Sequence, residues 1–353
     1  MTWETAIGHF RRRELEPLAE EARRITSRHF GNAVYLRGLI EFSNICSRDC
    51  LYCGLRRSNR KVGRYRLDDE AILSAVRRGF EKGLRTFVLQ SGEDPRFTTD
   101  RLARLCSRIK RATMEEAAVT LSCGIRPLAD YRRLTAAGAD RYLMRFETAD
   151  PDLHRYLRDG YTLERRLEAL DNLWTAGFQV GSGFMVGLPG ETDETIIRNV
   201  ELCAALGVDM AGVGPFIPNP DTPLAEAPQE PLELSLFATA LTRIACPETH
   251  IPATTAAGSL ESDGRERTVA CGANVLMPNL TPTEAKKDYL LYPGKICLDE
   301  DGLHCIGCLA MRMLTVGRRI SFDRADGRVG GKPGAAVGRR SDGRVLEGRE
   351  VPA

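Results

Sequence analysis

The chain has 353 residues, of which 28% are charged and 42% hydrophobic, and its formal net charge is +2 at pH 7. This composition is ordinary for a globular protein, and the length fits one large domain or two modest ones rather than a small disulfide-stapled module. The near-neutral charge argues against nucleic acid or an anionic membrane as a partner, and no apolar run reaches the roughly 18 residues of a membrane span.

The amino-terminal part of the chain predicts helix first and then a strand. Residues 1–33 predict a helical extension ahead of the main domain. Val34–Asn44 (V-Y-L-R-G-L-I-E-F-S-N) is rich in β-branched and apolar residues and is bounded by polar ones, which predicts the first strand. A helix then begins at Asp68, which can cap it, and Gly83 ends it.

After this helix, strands and helices alternate. The clearest later helix is Thr162–Ala176, where leucines recur on one side. Alternating strands and helices indicate βαβ units, and eight units in about 250 residues match a closed (β/α)8 TIM barrel. The rival is an open doubly wound sheet, but no dinucleotide-binding glycine motif follows the first strand. The seven further strands are predicted at Thr86–Ser91, Ala118–Ser122, Arg141–Glu147, Val180–Val186, Met210–Phe216, His250–Thr255 and Asn274–Pro278.

The barrel is predicted over residues 34–321, with a carboxyl-terminal cap from about residue 281, and the Gly- and Arg-rich residues 322–353 predict a disordered tail. Active-site groups of such barrels lie where strands end and the following loops begin. Unusual residues follow six of the predicted strands: a cysteine triplet, Ser91–Asp94, Arg145 with Glu147, Gly187–Gly190, Pro215–Pro220, and Thr254 with Thr255.

Cysteine is the informative residue type in this chain. The count is 11, an odd number, and Met1 to Arg13 lacks the apolar core of a secretory signal, so we expect a cytoplasmic protein with reduced thiols. Five scattered cysteines are interpreted as ordinary core: Cys106, Cys123, Cys203, Cys246 and Cys271. The other six form two triplets, and clustered reduced thiols indicate metal or redox chemistry.

The first triplet, Cys46, Cys50 and Cys53, has the spacing C-x3-C-x2-C on one short loop. A structural zinc site needs four ligands, and no fourth cysteine or histidine lies nearby in the sequence. Three thiolates can hold three irons of a 4Fe–4S cluster, which leaves the fourth iron open to a small molecule. A zinc site completed by a distant ligand is the alternative.

With Tyr52 at its aromatic position, this motif resembles that of the radical S-adenosylmethionine (SAM) superfamily. The resemblance implies that Cys46, Cys50 and Cys53 hold a 4Fe–4S cluster whose open iron binds SAM. One electron from the cluster then cleaves SAM to methionine and a 5′-deoxyadenosyl radical. Ser91, Gly92 and Glu93 resemble the family's GGE-type element, which holds the SAM amine; Ser91 replaces its first glycine.

Charged residues of the fourth strand suit the groups that SAM carries. Arg145 and Glu147 alternate and therefore share one side, where they can meet a carboxylate and an ammonium; the alternative is a mutual salt bridge. Arg166, on the next helix, can add a carboxylate contact or be an exposed helix charge. The resemblance also implies Tyr52 and Met210 as SAM contacts.

Longer stretches resemble HydE, a family of FeFe-hydrogenase maturases in the biotin synthase-like group. They include L-Q-S-G-E-D, M-V-G-L-P-G, G-P-F-I-P-N-P-D-T-P-L and C-G-A-N-V-L-M-P-N. The resemblance implies radical attack on a small sulfur-containing, organometallic substrate, in maturation of the dithiomethylamine-bridged di-iron part of the H-cluster. The implied cavity residues, each of which could equally serve packing or backbone satisfaction, are Arg145, Thr254, Thr255, Tyr289 and Tyr292.

The second triplet, Cys297, Cys305 and Cys308, matches a second cluster site of that family. From its spacing alone it could equally be a zinc site or a group of surface thiols. The resemblance further implies transient contact with the other maturases, a radical SAM tyrosine lyase and a GTPase scaffold, and with an electron donor such as flavodoxin or ferredoxin.

Three other functions remain open. A methylornithine synthase-like radical SAM mutase shares the early motifs but would rearrange an amino acid. A non-catalytic iron–sulfur carrier would leave Arg145, Glu147 and the Ser91–Glu93 turn without a purpose. A nucleic-acid-modifying radical enzyme is disfavoured by the near-neutral charge.

Overall fold

The computed structural model describes residues 1–327, so most of the predicted tail, residues 328–353, lies outside the described part. The helices are α1 (Trp3–Arg11), α2 (Leu15–Phe30), α3 (Asp69–Glu81), α4 (Thr99–Ala112), α5 (Leu128–Ala136), α6 (Pro151–Leu157), α7 (Leu163–Thr175), α8 (Asp193–Leu206), α9 (Leu232–Ala245), α10 (Thr255–Leu260), α11 (Gly264–Ala270), α12 (Thr283–Lys286) and α13 (Cys305–Thr315). The strands are β1 (Ala33–Leu36), β2 (Gly38–Ser43), β3 (Thr86–Ser91), β4 (Ala118–Ser122), β5 (Arg141–Leu143), β6 (Gln179–Val186), β7 (Met210–Pro215), β8 (Val275–Leu276) and β9 (Arg319–Ser321).

The alternation of strands and helices predicted from the sequence is confirmed. Six parallel strands pair in chain order, β2-β3-β4-β5-β6-β7, and β8, β1 and β9 form a second small parallel sheet. Single parallel bridges continue the order around the axis, from Met210 to His250, from Pro252 to Val275, and from Asn279 back to Leu39. The result is a TIM-barrel-like α/β fold whose last two positions are joined by isolated bridges rather than by full ladders.

Four predicted strands differ from the observed ones, and one of them, Asn274–Pro278, is a strand only at Val275–Leu276 (β8). Val34–Asn44 divides after Leu36 into β1 and β2. Arg141–Glu147 ends as a ladder at Leu143, and Glu147, which has φ +71, returns to the sheet through one bridge to Phe184. The predicted strand at His250–Thr255 was wrong, since Pro252 has no N–H to donate and the pairing stops at single bridges.

Capping residues begin the helices where the sequence predicted. The Asp68 carboxylate accepts from Ala71 N at the start of α3, and the Thr162 hydroxyl accepts from Arg165 N at the start of α7. The amino-terminal helices α1 and α2 lie against α9, where the Phe10 and Phe237 rings are 5.7 Å apart. All five scattered cysteines are buried, which confirms their interpretation as core. No helix between residues 1 and 327 is both long and apolar enough to cross a membrane.

A buried ion pair joins the carboxyl-terminal cap to the barrel. Lys295 Nζ lies 2.6 and 2.8 Å from the two carboxylate oxygens of Glu41 on β2, and the two side chains are 6% and 2% exposed. Asn279 Nδ2 donates to Glu41 at 2.7 Å, and Lys295 also donates to Tyr289 O. Because both charges are removed from water, loss of either one would leave the other buried and unpaired, which would destabilise the folded protein.

This pair yields a stability prediction. Lys295→Met leaves Glu41 buried without its cation, so we expect a loss of about 3–5 kcal/mol in the free energy of unfolding. The double variant Glu41→Gln with Lys295→Met removes both charges and should recover most of that loss. Urea unfolding measures both effects, with Lys287→Met, whose ion pair to Asp299 is exposed, as the control that changes little. Equal destabilisation by the single and double variants would contradict the pairing argument.

Candidate functional site at the carboxyl ends of the strands

The cysteine loop, residues 44–64, has no helix or strand of its own and is shaped by side-chain hydrogen bonds to its backbone. The Arg64 guanidinium donates to four carbonyls, those of Asn44 (2.6 Å), Leu55 (3.0 Å), Arg56 (2.7 Å) and Asn59 (2.9 Å). One side chain therefore gathers the start, middle and end of the loop, which holds the cysteines in place.

The three thiols of this loop lie at the edge of the protein interior. Cys50 is buried, and Cys46 and Cys53 are half-buried. Cys46 Sγ accepts backbone N–H groups from Arg48 and Glu93, both at 3.4 Å. Burial raises the pKa of all three thiols, that of Cys53 to about 12. Thiolates at these positions therefore need a bound cation to offset their desolvation.

A compact group of possible metal ligands lies elsewhere in the chain. Two ligands about 2.3 Å from one zinc ion are at most about 4.6 Å apart. Within residues 1–327, the ligand atoms of Cys297, Glu300 and Cys305 all lie within 4.8 Å of one another. The three thiols of the first triplet suit three irons of a 4Fe–4S cluster, as the motif predicts.

The turn after β3 lies directly against the cysteine loop. Gly92 N donates to Ser43 O at 3.1 Å, and Ser91 Oγ donates to Gly92 O. A Cβ added at Gly92 would lie 2.3 Å from Ile45 O and 2.7 Å from Cys46 Cβ. Only glycine permits this approach, which places the predicted Ser91–Glu93 element beside the first thiol.

Glu93 is held in place by a neighbouring arginine. Its Oε2 lies 2.6 Å from Arg48 Nε, and the Arg48 guanidinium stacks over the Tyr161 ring at 4.0 Å. The carboxylate is therefore oriented at the rim of the site. The backbone N–H of the same residue, Glu93, donates to Cys46 Sγ.

Arg145 and Glu147 come together as the sequence predicted, and they form the mutual ion pair that was the alternative. Arg145 Nη2 is 3.2 Å from Glu147 Oε2, but the approach lacks hydrogen-bond geometry, and Oε2 is buried without a donor. A Cβ at Gly212 would lie 3.3 Å from Arg145 Cδ. The glycine on β7 thus leaves room for the arginine inside the barrel.

Arg166 is 4% exposed, so the interpretation as an exposed helix charge is wrong. Its Nε has no hydrogen-bond partner, and within the described residues it forms no ion pair. A buried guanidinium with free donor capacity can bind a carboxylate in two-pronged geometry.

Tyr52 connects the cysteine loop to the charges of the site. Its hydroxyl donates to Glu147 Oε1 at 3.4 Å and accepts from Arg158 Nη1 at 2.8 Å. The tyrosine therefore links the cysteine loop to Glu147, in the segment that follows β5.

The predicted cavity residues come from two segments: the threonines lie at the start of α10, and the tyrosines follow α12. Tyr289 is buried, and its hydroxyl accepts from Gln90 Nε2 at 3.3 Å. Burial raises the pKa of Tyr292, so both phenols stay neutral at physiological pH. Thr254 caps α10, and a Cβ at Gly214 would lie 2.9 Å from its Oγ1. Thr255 lines a cavity that also contacts Cys297.

Met210 is not brought to the cysteine loop. It begins β7, at the amino end of the barrel, and its sulfur accepts from Arg37 Nη1 at 2.9 Å. It lines a cavity there with Arg141 and His250. Because β7 runs from this end to Pro215 at the other, Met210 lies at the floor of the barrel rather than at its mouth.

The second triplet is divided in the structure. Cys297 and Cys305 group with Glu300, whose Oε2 accepts from Cys305 Sγ at 3.0 Å. Cys308 is exposed and stands outside this group. The spacing pattern could not reveal Glu300, since acidic residues are frequent in this polar segment.

Sequence reasoning missed several residues of the site. In the sequence, Arg48 and Arg64 look like ordinary charged residues of a loop. Arg158, just after a short helix, looks like an arginine exposed to solvent. Gln90 was part of a predicted strand, but its contact with Tyr289 joins residues distant in the chain. No spacing signal identifies these residues, because their partners come from other loops.

Comparisons with known proteins agree on one family. Residues 40–203 match the Radical SAM superfamily. The FeFe hydrogenase maturase subunit HydE of Thermotoga maritima is 46% identical over 306 residues, covering 87% of this chain and 86% of that protein. The 3-methylornithine synthase of Methanosarcina acetivorans is 28% identical over 276 residues, covering 77% of each.

A solved structure also resembles the fold. The crystal structure of methylornithine synthase (PylB) matches with a TM-score of 0.77 at 25% identity, covering 90% of this chain and 93% of that one. This likeness supports the TIM-barrel-like assignment, including the segments joined by single bridges.

The contact at Gly92 yields a second prediction. Gly92→Ala forces a Cβ against Ile45 O, so we expect the free energy of unfolding to fall by about 1–3 kcal/mol. Gly307→Ala is the control, because a Cβ there meets nothing within 4 Å and alanine favours the helix α13. Chemical denaturation measures both. If Gly92→Ala left the free energy of unfolding unchanged, the turn would not be packed closely against the cysteine loop.

Proposed function

Because the chain belongs to the radical SAM superfamily and, within it, to the HydE family, we propose that it cleaves SAM reductively and acts on a small sulfur-containing, organometallic substrate during FeFe-hydrogenase maturation. The observation that carries this proposal is the site itself. The thiol of Cys46 lies against the Gly92–Glu93 turn, and Tyr52 of the same loop donates to Glu147, the partner of Arg145.

Cys46, Cys50 and Cys53 would hold the 4Fe–4S cluster, and bonds to its irons would offset the desolvation that raises the pKa of each thiol. When bound, the cluster supplies the electron that cleaves SAM to methionine and a 5′-deoxyadenosyl radical. The chain's own residues bind and orient the groups around it.

Two buried atoms without hydrogen-bond partners suit the charged groups of SAM. Glu147 Oε2 lacks a donor and would accept from the SAM ammonium, while Arg166 Nε lacks an acceptor and would donate to its carboxylate. In a buried site such contacts are stronger than in water, so they fix the orientation of the bound molecule.

The substrate would lie in the barrel interior. Gly212 and Gly214 leave space beside Arg145 and Thr254, where larger side chains on β7 would fill it. The Glu41–Lys295 pair fastens the cap segment to β2, and the cap would limit the access of water to this space. A dry chamber limits the side reactions of a carbon radical.

The proposal also includes partners, location and a second metal site. We expect transient contact with the other two maturases, a radical SAM tyrosine lyase and a GTPase scaffold, and with a flavodoxin or ferredoxin as electron donor, in the cytoplasm. Cys297 and Cys305 would hold metal at the second site, with Cys308 or Glu300 as the further ligand.

The first functional prediction concerns the cysteine loop. Cys50→Ala removes one ligand from the cluster, so 5′-deoxyadenosine formation from SAM should fall to background under reducing, anaerobic conditions. Circular dichroism should show a folded protein, because a buried cysteine-to-alanine change is small. Cys308→Ala, an exposed thiol outside the loop, should retain SAM cleavage. Wild-type cleavage by Cys50→Ala would refute the assignment.

The second functional prediction separates the substrates. The loaded protein, given SAM, reductant, an iron–carbonyl–cyanide–cysteine complex and the GTPase scaffold, should activate an apo-hydrogenase, measured as hydrogen uptake. With SAM and lysine it should form no methylornithine. Methylornithine formation without hydrogenase activation would instead support a mutase like the relative that is 28% identical.

A further inference from the structure

The carboxyl end of α6 is fastened to the cysteine loop. Leu51 N, between Cys50 and Cys53, donates to Leu157 O at 2.9 Å. Leu157 also shares a small apolar cluster with Leu51 and Tyr52. The next residue, Arg158, is therefore held at a fixed position beside the thiols.

The Arg158 guanidinium has few partners for a charge in this position. Its Nη1 donates to Tyr52 Oη at 2.8 Å, and its Nε is buried with no hydrogen-bond partner. Within residues 1–327 it forms no ion pair, although Glu147 receives a hydrogen bond from the same tyrosine. The charge of Arg158 is thus not cancelled by a carboxylate in direct contact.

Two other arginines near the thiols differ from Arg158. Arg48 is paired with Glu93, which cancels most of its field. The Arg64 guanidinium donates to four backbone carbonyls of the loop and thereby stabilises the conformation of the loop. Arg158 is the arginine of this group whose charge remains available to act on a bound cluster.

Arg158 is also a permanent cation. Burial works against its charge, but the neighbouring Tyr52, Cys50 and Glu147 outweigh that cost, and the pKa of Arg158 lies above its ordinary value. Arg158 donates to Tyr52, which lies between Cys50 and Cys53 in the loop, so the charge is held close to the thiols.

We propose that Arg158 sets the reduction potential of the cluster held by Cys46, Cys50 and Cys53, by stabilising the electron that the cluster receives. The inference rests on the proposed function, since it needs a cluster at the first triplet. Reduction adds one electron, taken from the external donor, to a site that already carries three thiolates. A fixed positive charge in a medium of low dielectric makes that addition easier.

The expected size follows from Coulomb's law. A unit charge within about 10 Å, at an effective dielectric near 20, changes a one-electron equilibrium by about tenfold. Loss of the charge should therefore lower the ratio of reduced to oxidised cluster about tenfold at a fixed potential, which is a shift of about 59 mV to more negative values.

The experiment is an anaerobic redox titration of the reconstituted protein without SAM, followed by the EPR signal of the reduced cluster. Arg158→Gln removes the charge but can still donate to Tyr52, and Arg158→Lys keeps the charge. Arg155→Gln is the matched control, because Arg155 is an exposed arginine on the same helix. Iron content is measured for each variant, and Arg158→Met replaces Arg158→Gln if the latter does not load.

A negative shift for Arg158→Gln, with Arg158→Lys and Arg155→Gln near wild type, supports the inference. A wild-type potential for Arg158→Gln overturns it, and so does a shift that appears only after SAM is added, since Arg158 would then act on SAM. Failure of the wild-type protein to show any cluster signal would instead refute the proposed function, so the two failures are distinguishable.

Discussion

The site depends on a loop that no regular secondary structure supports. Between Ser43 and Asp69 the chain forms no helix or strand, yet it must present three thiols in a fixed arrangement. Arg64 fixes the shape of the loop by donating to four of its backbone carbonyls, and the Gly92 turn packs against the loop from one side. Backbone groups that would otherwise bind water are satisfied internally, which makes the loop a rigid part of the site.

Buried charge is the second constraint on this molecule. Glu41 with Lys295, Arg145 with Glu147, and the partly unsatisfied Arg158 and Arg166 all lie near the barrel mouth. Such groups are costly for folding, since each loses its hydration. They are useful for binding a zwitterionic molecule and a metal cluster, because fixed charges in a dry site need no reorganisation when the ligands arrive.

Much of the fold could be predicted because its pattern is local. The capped helices after Asp68 and Thr162, and the buried scattered cysteines, follow from periodicity and composition. The error at His250–Thr255 came from reading an apolar run as a strand although Pro252 interrupts the ladder. Alternation predicted Arg145 and Glu147 on one side, with a mutual salt bridge as the alternative; they form that ion pair although the ladder ends before both of them, at Leu143.

The sequence alone determined the barrel-like alternation and the three-thiol motif, because strand periodicity and ligand spacing are properties of neighbouring residues; the class of chemistry followed from the resemblance of that motif to the radical SAM superfamily. Only the tertiary structure decided that Arg158 contacts Tyr52 of the cysteine loop, that Met210 lies at the barrel floor, and that Glu300 joins Cys297 and Cys305. These positions depend on which loops meet in space. Contacts between distant segments are selected by packing and burial of the whole chain, and no short stretch of sequence encodes them.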